Sequence, residues 1–519
     1  MEAGEQAATA TRHLDFLLRL AETARSGLDG AQAQDWMVQL ERELDNFRAA
    51  LEWASGDQTT LRSGLRLASA LAEFWARRGY LSEGRVWLEA IMARVDWEKV
   101  ENDSTWETIR ARALCALGEL VLLQGELAGA HTYFEAALVL SRKMNLQVLT
   151  AEVLLGLGAT AWTQGDYDFA QKCFKDSLHL YHKAGDEHGS AMVLRRLGQG
   201  FRIQGQYTTA EACYRQSQEL FRKTGDQHGV AQTLEGLGLI ARLQGDLDHA
   251  QSLAEESLEL RRSLQDRLGT SFSLINLGVI AYERRDAHQA RAHLQECLDI
   301  RRALGDHVGV AAAINILGDV ALDQGELQEA QHLFSESLAQ RRISGEKYGL
   351  IDDLRGLSQV CWQLEDYSRA RVNLEEALAY ARDLGVPRLI AATLRDLASR
   401  DLQLGDQQHG LEKVRESLNL SRQQDDPIGV AESLEVLADA AVEAGQFEFA
   451  LRLVAGAAGL RETAGLRRTP RQEPEAARRL AKIHAHLEKA LFDRLWDEFR
   501  RLPLDQVIEV VLESQDHQS

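Results

Sequence analysis

Apolar side chains recur at a helical period through most of this chain, with polar residues filling the positions between them. From Ala191 to Val230, Leu194, Leu197, Gly198 and Phe201 stand at i, i+3, i+4 and i+7, one stripe of an amphipathic helix. The stripe stops at Gln204-Gly205, where glycine can take the left-handed turn that ends a helix. A second stripe follows with Ala210, Tyr214, Ser217 and Leu220, and Ala210 is small enough to let the two helices approach closely. Lys223-Thr224 ends it, Gly225-Asp226 turns the chain, and Asp226 is placed to cap the next helix. Asp186, Asp266 and Asp306 stand at the same position.

The helix pair repeats. Gly125, Gly165, Gly205, Gly245, Gly325, Gly405 and Gly445 lie on one 40-residue comb, with Arg285 and Glu365 on the two teeth that lack glycine. Leu117, Leu157, Leu197, Leu237, Leu277, Leu317, Leu357, Leu397 and Leu437 form a second comb without a gap. A fixed period of this size predicts a solenoid, in which each unit buries its apolar face only against its neighbours.

Composition agrees with helices throughout. Only five prolines occur, all from Pro387 onward. The net charge of −20 argues against nucleic acid as a direct partner and suits a chain kept from self-association. Arg461–Arg501 is locally basic, with 11 Lys+Arg against 7 Asp+Glu, which reads as the solvated face of terminal helices or a contact to an acidic neighbour. No secretory signal or membrane span is evident, since the apolar run Ala113–Leu123 is broken by Gly118 and Glu119. The five cysteines are isolated and read as free thiols of a cytoplasmic protein.

The order of Leu, Gly, a small or aromatic residue, Ala and a second aromatic resembles the tetratricopeptide repeat, at a spacing of 40. The phrase GDEHGSAMVLRRLGQGFRIQG at Gly185–Gly205 recurs as GDHVGVAAAINILGDVALDQG at Gly305–Gly325. It is similar to the long repeats of bacterial signal-transduction ATPases and LuxR-type regulators, including the maltose-regulon activator. Pins-type adaptors carry similar units. Asp35-Trp36-Met37 through Trp53 is similar to the segment that joins a winged-helix element to the array in those ATPases. Leu480, Ile483, Leu487, Leu491, Phe492 and Trp496, followed by a final helix Leu504–Leu512, resemble the family's closing helices.

The implied fold is an all-α, right-handed tetratricopeptide-repeat superhelix, an α-solenoid. Residues 1–60 are expected to form a helical junction and 61–110 a degenerate first repeat carrying Leu71, Trp75, Gly79, Gly84 and Leu88. Nine repeats are expected over 111–465, and a linker with capping helices over 466–519.

Signals for chemistry are poor. The phosphate-cradling G-x-x-x-x-G-K-[ST] of that ATPase family is absent, as is any helix-turn-helix-like basic region. Gly156-Leu157-Gly158 and Gly236-Leu237-Gly238 mimic half a dinucleotide fingerprint but fall mid-helix and follow no strand, so helix packing accounts for them. His484-x-His486 puts two imidazoles on different sides of a helix. No cofactor, no metal and no enzyme activity are expected. Arg142, His182, Arg222, Arg262, Arg302, Arg342, Arg382 and Arg422 form a ladder near the ends of the second helices, where positive charge favours the helix terminus; we read it as structural.

The resemblance implies that positions 2, 5, 9 and 12 of each first helix line a concave groove. Carried over, the candidate binding residues are Met192, Arg195, Gln199, Arg202, Glu235, Arg242, Phe272, Tyr282, Asn315, Asp319, Arg355 and Trp362. Aromatic groups beside arginines are the composition of binding hot spots, although Phe272, Ile275 and Val279 suit packing between helices equally well. The expected function is a sensor arm that takes a protein, peptide or small-molecule inducer in the groove and works with an ATPase module in cis or in trans. It is expected to touch neither nucleic acid directly nor a membrane. The rival is a stand-alone scaffold of the Pins type. That scaffold would need a row of asparagines at the position of Asn276, where Gly156, Arg196, Gly236, Ile316 and Gly356 stand instead.

Overall fold

The computed structural model describes residues 2–507 except 29, 31, 101–102, 425, 469–471 and 504–505, and side chains from residue 7 onward. The described residues hold helices and no strand. Helices α1 (Glu2–Gly27), α2 (Ala33–Arg42), α3 (Leu44–Gly56), α4 (Leu61–Arg78) and α5 (Leu81–Arg94) come first. Antiparallel pairs follow: α6 (Ser104–Leu123) with α7 (Leu127–Lys143), α8 (Gln147–Gln164) with α9 (Tyr167–Ala184), and α10 (Glu187–Ile203) with α11 (Tyr207–Thr224). Then come α12 (Gln227–Leu243) and α13 (Leu247–Ser263), α14 (Arg267–Glu283) and α15 (Ala287–Leu304), and α16 (His307–Asp323) and α17 (Leu327–Ser344). The last pairs are α18 (Lys347–Gln363) and α19 (Tyr367–Leu384), α20 (Pro387–Gln403) and α21 (Gln407–Gln423), and α22 (Pro427–Glu443) and α23 (Phe447–Thr463). Two short helices, α24 (Glu473–His484) and α25 (Lys489–Phe499), end the described chain. The expected closing helix Leu504–Leu512 lies outside the described residues apart from 506 and 507. The chain divides into two compact units, residues 1–236 and 237–519, each an all-α stack of helix pairs.

Local chemistry sets each repeat. Asp186, Asp226, Asp266 and Asp306 accept hydrogen bonds from Gly189, Gly229, Gly269 and Gly309 N–H at 2.8, 2.9, 2.8 and 2.9 Å, the caps expected from the sequence. On the glycine comb the backbone is left-handed, and the two teeth without glycine obey the same geometry: Arg285 has φ 64° and Glu365 φ 62°. The turn is imposed by the stack whether or not the residue suits it.

Packing explains the mid-helix glycines. The Phe134 ring sits against both Gly118 and Gly156, and the Phe334 ring against both Gly318 and Gly356. Gly158 faces the Phe174 ring, where an added Cβ would lie 2.5 Å from Cε1. Gly156-Leu157-Gly158 is therefore two ring seats side by side. A hydroxyl stitch joins the first and second helices within a pair: Ser177, Ser217, Ser337 and Ser417 are buried and donate to the carbonyls of Ala151, Ala191, Ala311 and Ala391 at 2.7 to 3.0 Å.

Three members of the basic ladder make ion pairs to the next second helix. Arg262, Arg342 and Arg382 pair with Glu296, Glu376 and Glu416 of the next second helix at 2.5, 2.7 and 3.0 Å. These pairs are exposed, so each contributes little individually.

Candidate functional site

First helices lie directly against neighbouring first helices, as α8 does on α10 and α18 on α20. Their exposed edges therefore form a continuous strip within each unit. Among the candidate residues Met192, Arg195, Gln199, Arg202, Glu235, Arg242, Tyr282, Asn315, Asp319, Arg355 and Trp362 are half-buried, and Phe272 is exposed.

In the unit of residues 237–519 the cationic and aromatic members are matched internally. Arg242 Nη1 lies 2.6 Å from Glu283, and Arg355 Nε lies 2.6 Å from Asp396. The Arg400 guanidinium covers the Trp362 ring at 4.5 Å and bonds Gln359. Phe272 carries the Arg301 guanidinium at 4.3 Å. Asn315 donates to the fully buried Asp353 at 2.7 Å.

Asp353 and three arginines are sites that sequence reasoning missed. Arg261, Arg301 and Arg341 are buried at the repeat position where Tyr181 and Phe221 stand earlier in the chain. Arg341 bonds Glu346 at 2.6 Å and Asp353 at 3.1 Å. Burial pushes Asp353 up to about 6, against the pull of Arg341. The available signal was register: three arginines in phase, one residue before the exposed ladder.

In the unit of residues 1–236 the picture reverses. Arg195, Arg196 and Arg202 make no ion pair among the described residues, and the Nε atoms of Arg195 and Arg202 are buried without a hydrogen-bond partner. Arg196 reaches only Gln199, at 3.5 Å. Crowding depresses Arg195 to about 9, through loss of water first and the Arg196 charge second. Trp162, absent from the sequence expectation, lies beside Gly200, with the Tyr167 ring tilted against it at 4.5 Å between centroids.

Both ends of the array carry segments of the chain itself on first-helix positions. Arg25 of α1 lies 3.5 Å from Glu152 of α8. Glu119 is exposed by area, yet loss of water and then the Glu152 charge raise it to about 8, with Arg25 opposing. At the other end, Glu435 is held between Arg461 at 3.3 Å and Arg468 at 2.7 Å, and Arg479 meets Asp439 at 2.5 Å. Burial works to raise Glu435, but the two arginines outweigh it and leave it below the usual range. Arg467 N–H also bonds the Gln244 carbonyl at 3.3 Å, which brings the segment after α23 onto the turn between α12 and α13.

Among the described residues no group of three or more His, Cys, Asp or Glu could hold a metal, and no helix is long and apolar enough to cross a membrane. The five cysteines are free, and burial pushes the Cys173 thiol up to about 11, away from reactivity.

Residues 149–210, 189–263, 269–343 and 309–383 match the tetratricopeptide repeat family. Proteins named as HTH-type transcriptional regulators of Mycobacterium bovis and Mycobacterium tuberculosis are 32% identical over 103 residues, which is 20% of this chain and 11% of theirs. Among solved structures, a Rap protein complexed with Competence and Sporulation Factor covers 70% of this chain and 99% of its own at TM-score 0.52 and 13% identity. A tetratricopeptide-repeat STAND protein from Pyrococcus horikoshii covers 74% and 52% at TM-score 0.45 and 13% identity. The matched repeats, within residues 149–263 and 269–383, are tetratricopeptide repeats, and the fold of the described residues is an all-α solenoid.

Proposed function

We propose, from the premise that this is a tetratricopeptide-repeat solenoid, that its first-helix strip is a groove for a polypeptide or small inducer, and that the chain serves as a sensor or interaction arm. One observation carries the reading: the strip already receives chain segments. Arg25 sits at Glu152, and Arg468 and Arg479 sit at Glu435 and Asp439, so first-helix side chains at both ends meet a segment of opposite charge.

The output module remains a matter of likeness. The matched mycobacterial proteins are named as transcriptional regulators, and a signal-transduction ATPase shares the repeat type, so an ATPase or regulator acting with this chain in cis or in trans fits. The Rap protein, a solenoid of the same fold, is complexed with its named factor. The arm itself acts by binding, without cofactor, metal or catalysis, in the cytoplasm.

The test is a selection of peptides on the immobilised full chain at about 0.15 M salt. Selected peptides should lose at least tenfold in affinity on Gln199→Ala or Met192→Ala and none on Arg302→Ala, which lies on the exposed ladder. Binding that ignores both strip variants and responds to Arg302 would put the ligand face on the second helices.

A further inference from the structure

The repeats allow the chain to be compared with itself, 40 residues at a time. In the later unit two strip arginines have an acid 41 residues on, Glu283 for Arg242 and Asp396 for Arg355, and Arg395 pairs with Glu432, 37 residues on. Counting 41 residues from Arg195 gives Gly236, and from Arg202 gives Leu243. Trp362 is covered by Arg400, 38 residues on. The residue 38 after Trp162 is Gly200, which has no side chain to cover it. Three internal partners present in one unit are thus replaced in the other by glycine or leucine.

The consequence is a built but unmatched surface. Arg195 and Arg196 crowd each other on α10, and Arg202 is held beside the Tyr214 hydroxyl, whose ring is buried among the glycines Gly198 and Gly236. Two guanidinium Nε atoms are buried and unbonded. A half-buried cation with no ion-pair partner is only partly solvated, and a carboxylate arriving from outside would supply the pairing that Asp396 and Glu283 give internally.

We propose that Trp162, Arg195, Arg196 and Arg202 form the binding site for an acidic peptide segment, which supplies two carboxylates to the arginines and a flat side chain to the indole face. This rests on the groove reading above and names the chemistry of its ligand. Geometry sets the spacing. Arg195 and Arg202 are seven residues apart on one helix, roughly 10.5 Å along its axis. A polyproline II segment rises about 3.1 Å per residue with three residues per turn, so acids at i and i+3 share a face about 9.3 Å apart. The net charge of the chain is −20 and opposes an acidic ligand at long range, so binding needs two or more acids placed to match this cluster.

The peptide selection described above, read for composition, tests this. Selected sequences should carry Asp or Glu at two positions three apart, and their binding should weaken steeply with salt. Arg195→Gln and Arg202→Gln should each weaken a selected acidic peptide at least tenfold, with Arg195→Lys recovering part of the loss. Arg302→Ala, on the exposed ladder, should change it less than twofold. Gly200→Arg, which supplies the cover that Arg400 gives Trp362, should block the indole face and weaken binding tenfold while leaving the melting temperature near that of the parent. Selected peptides lacking acids, or acidic peptides indifferent to Arg195→Gln and Arg202→Gln, overturn the proposal. If such non-acidic peptides still depend on Gln199, the groove reading survives alone. If no selected peptide depends on any strip residue, both readings fall.

Discussion

Asp353 offers the sharpest test of how the later unit is held together. Its carboxylate is fully buried and faces the Asn315 amide at 2.7 Å, the Ser337 hydroxyl at 2.9 Å and Arg341 Nε at 3.1 Å. Breaking a buried pair by deleting one partner costs about 3–5 kcal/mol, because the remaining charge stays buried. Here Arg341 keeps Glu346 at 2.6 Å, which favours the lower end, and the Asn315 amide losing its acceptor adds about 1 kcal/mol. Asp353→Ala should therefore destabilise by about 3–4 kcal/mol. Arg341→Met should cost a similar amount, since it strands the acid. The double variant Asp353→Leu with Arg341→Met should cost much less than the sum, leaving a coupling of about 2 kcal/mol or more. Urea unfolding followed by circular dichroism gives the totals. Native-state hydrogen exchange of α16 to α18 localises them, because stacked repeats open in pieces. Burial holds Asp353 up at about 6, so the coupling should be larger at pH 8, with the carboxylate charged, than at pH 5. A cost below about 1 kcal/mol for Asp353→Ala, or single effects that simply add, would refute the buried-network account.

Two other outcomes follow from local geometry and charge. Arg285→Gly and Glu365→Gly relieve left-handed backbone at φ 64° and 62°; less the extra entropy of glycine when unfolded, each should stabilise by about 0.5–1 kcal/mol, and a lower melting midpoint would contradict it. Glu119 stands near 8 in the fold against an ordinary 4.5, so between those values the folded state holds a proton the unfolded state has lost. Stability should fall as pH rises through that window, and Glu119→Gln should flatten the fall in melting temperature measured from pH 4.5 to 8.5. Parallel curves for the two proteins would exclude Glu119 as the source.

The sequence determined whatever depends on near neighbours along the chain. Helix stripes, aspartate caps and left-handed turns each involve residues within about five positions, so a 40-residue period printed them directly, and Asp186, Asp226, Asp266 and Asp306 cap where the sequence places them. The strip positions came from the resemblance, carried over as positions 2, 5, 9 and 12 of each first helix. What the sequence left open is which charges on that strip are spent. Arg242 and Arg195 look alike in one dimension, and only packing shows that the first meets Glu283 while the second has no described ionic partner. The exposed ladder was recognised but its partners were not, because an arginine five bonds from its backbone reaches the next helix, to Glu296 rather than Asp266. Arg261, Arg301, Arg341 and Asp353 were missed because charged residues are ordinarily solvated, and burial is a property of the stack. Arg25 at Glu152 and Arg467 at Gln244 join residues more than a hundred positions apart. No local pattern encodes such contacts; they exist because packed helices bring distant side chains into Coulomb range, and that range is set by the fold.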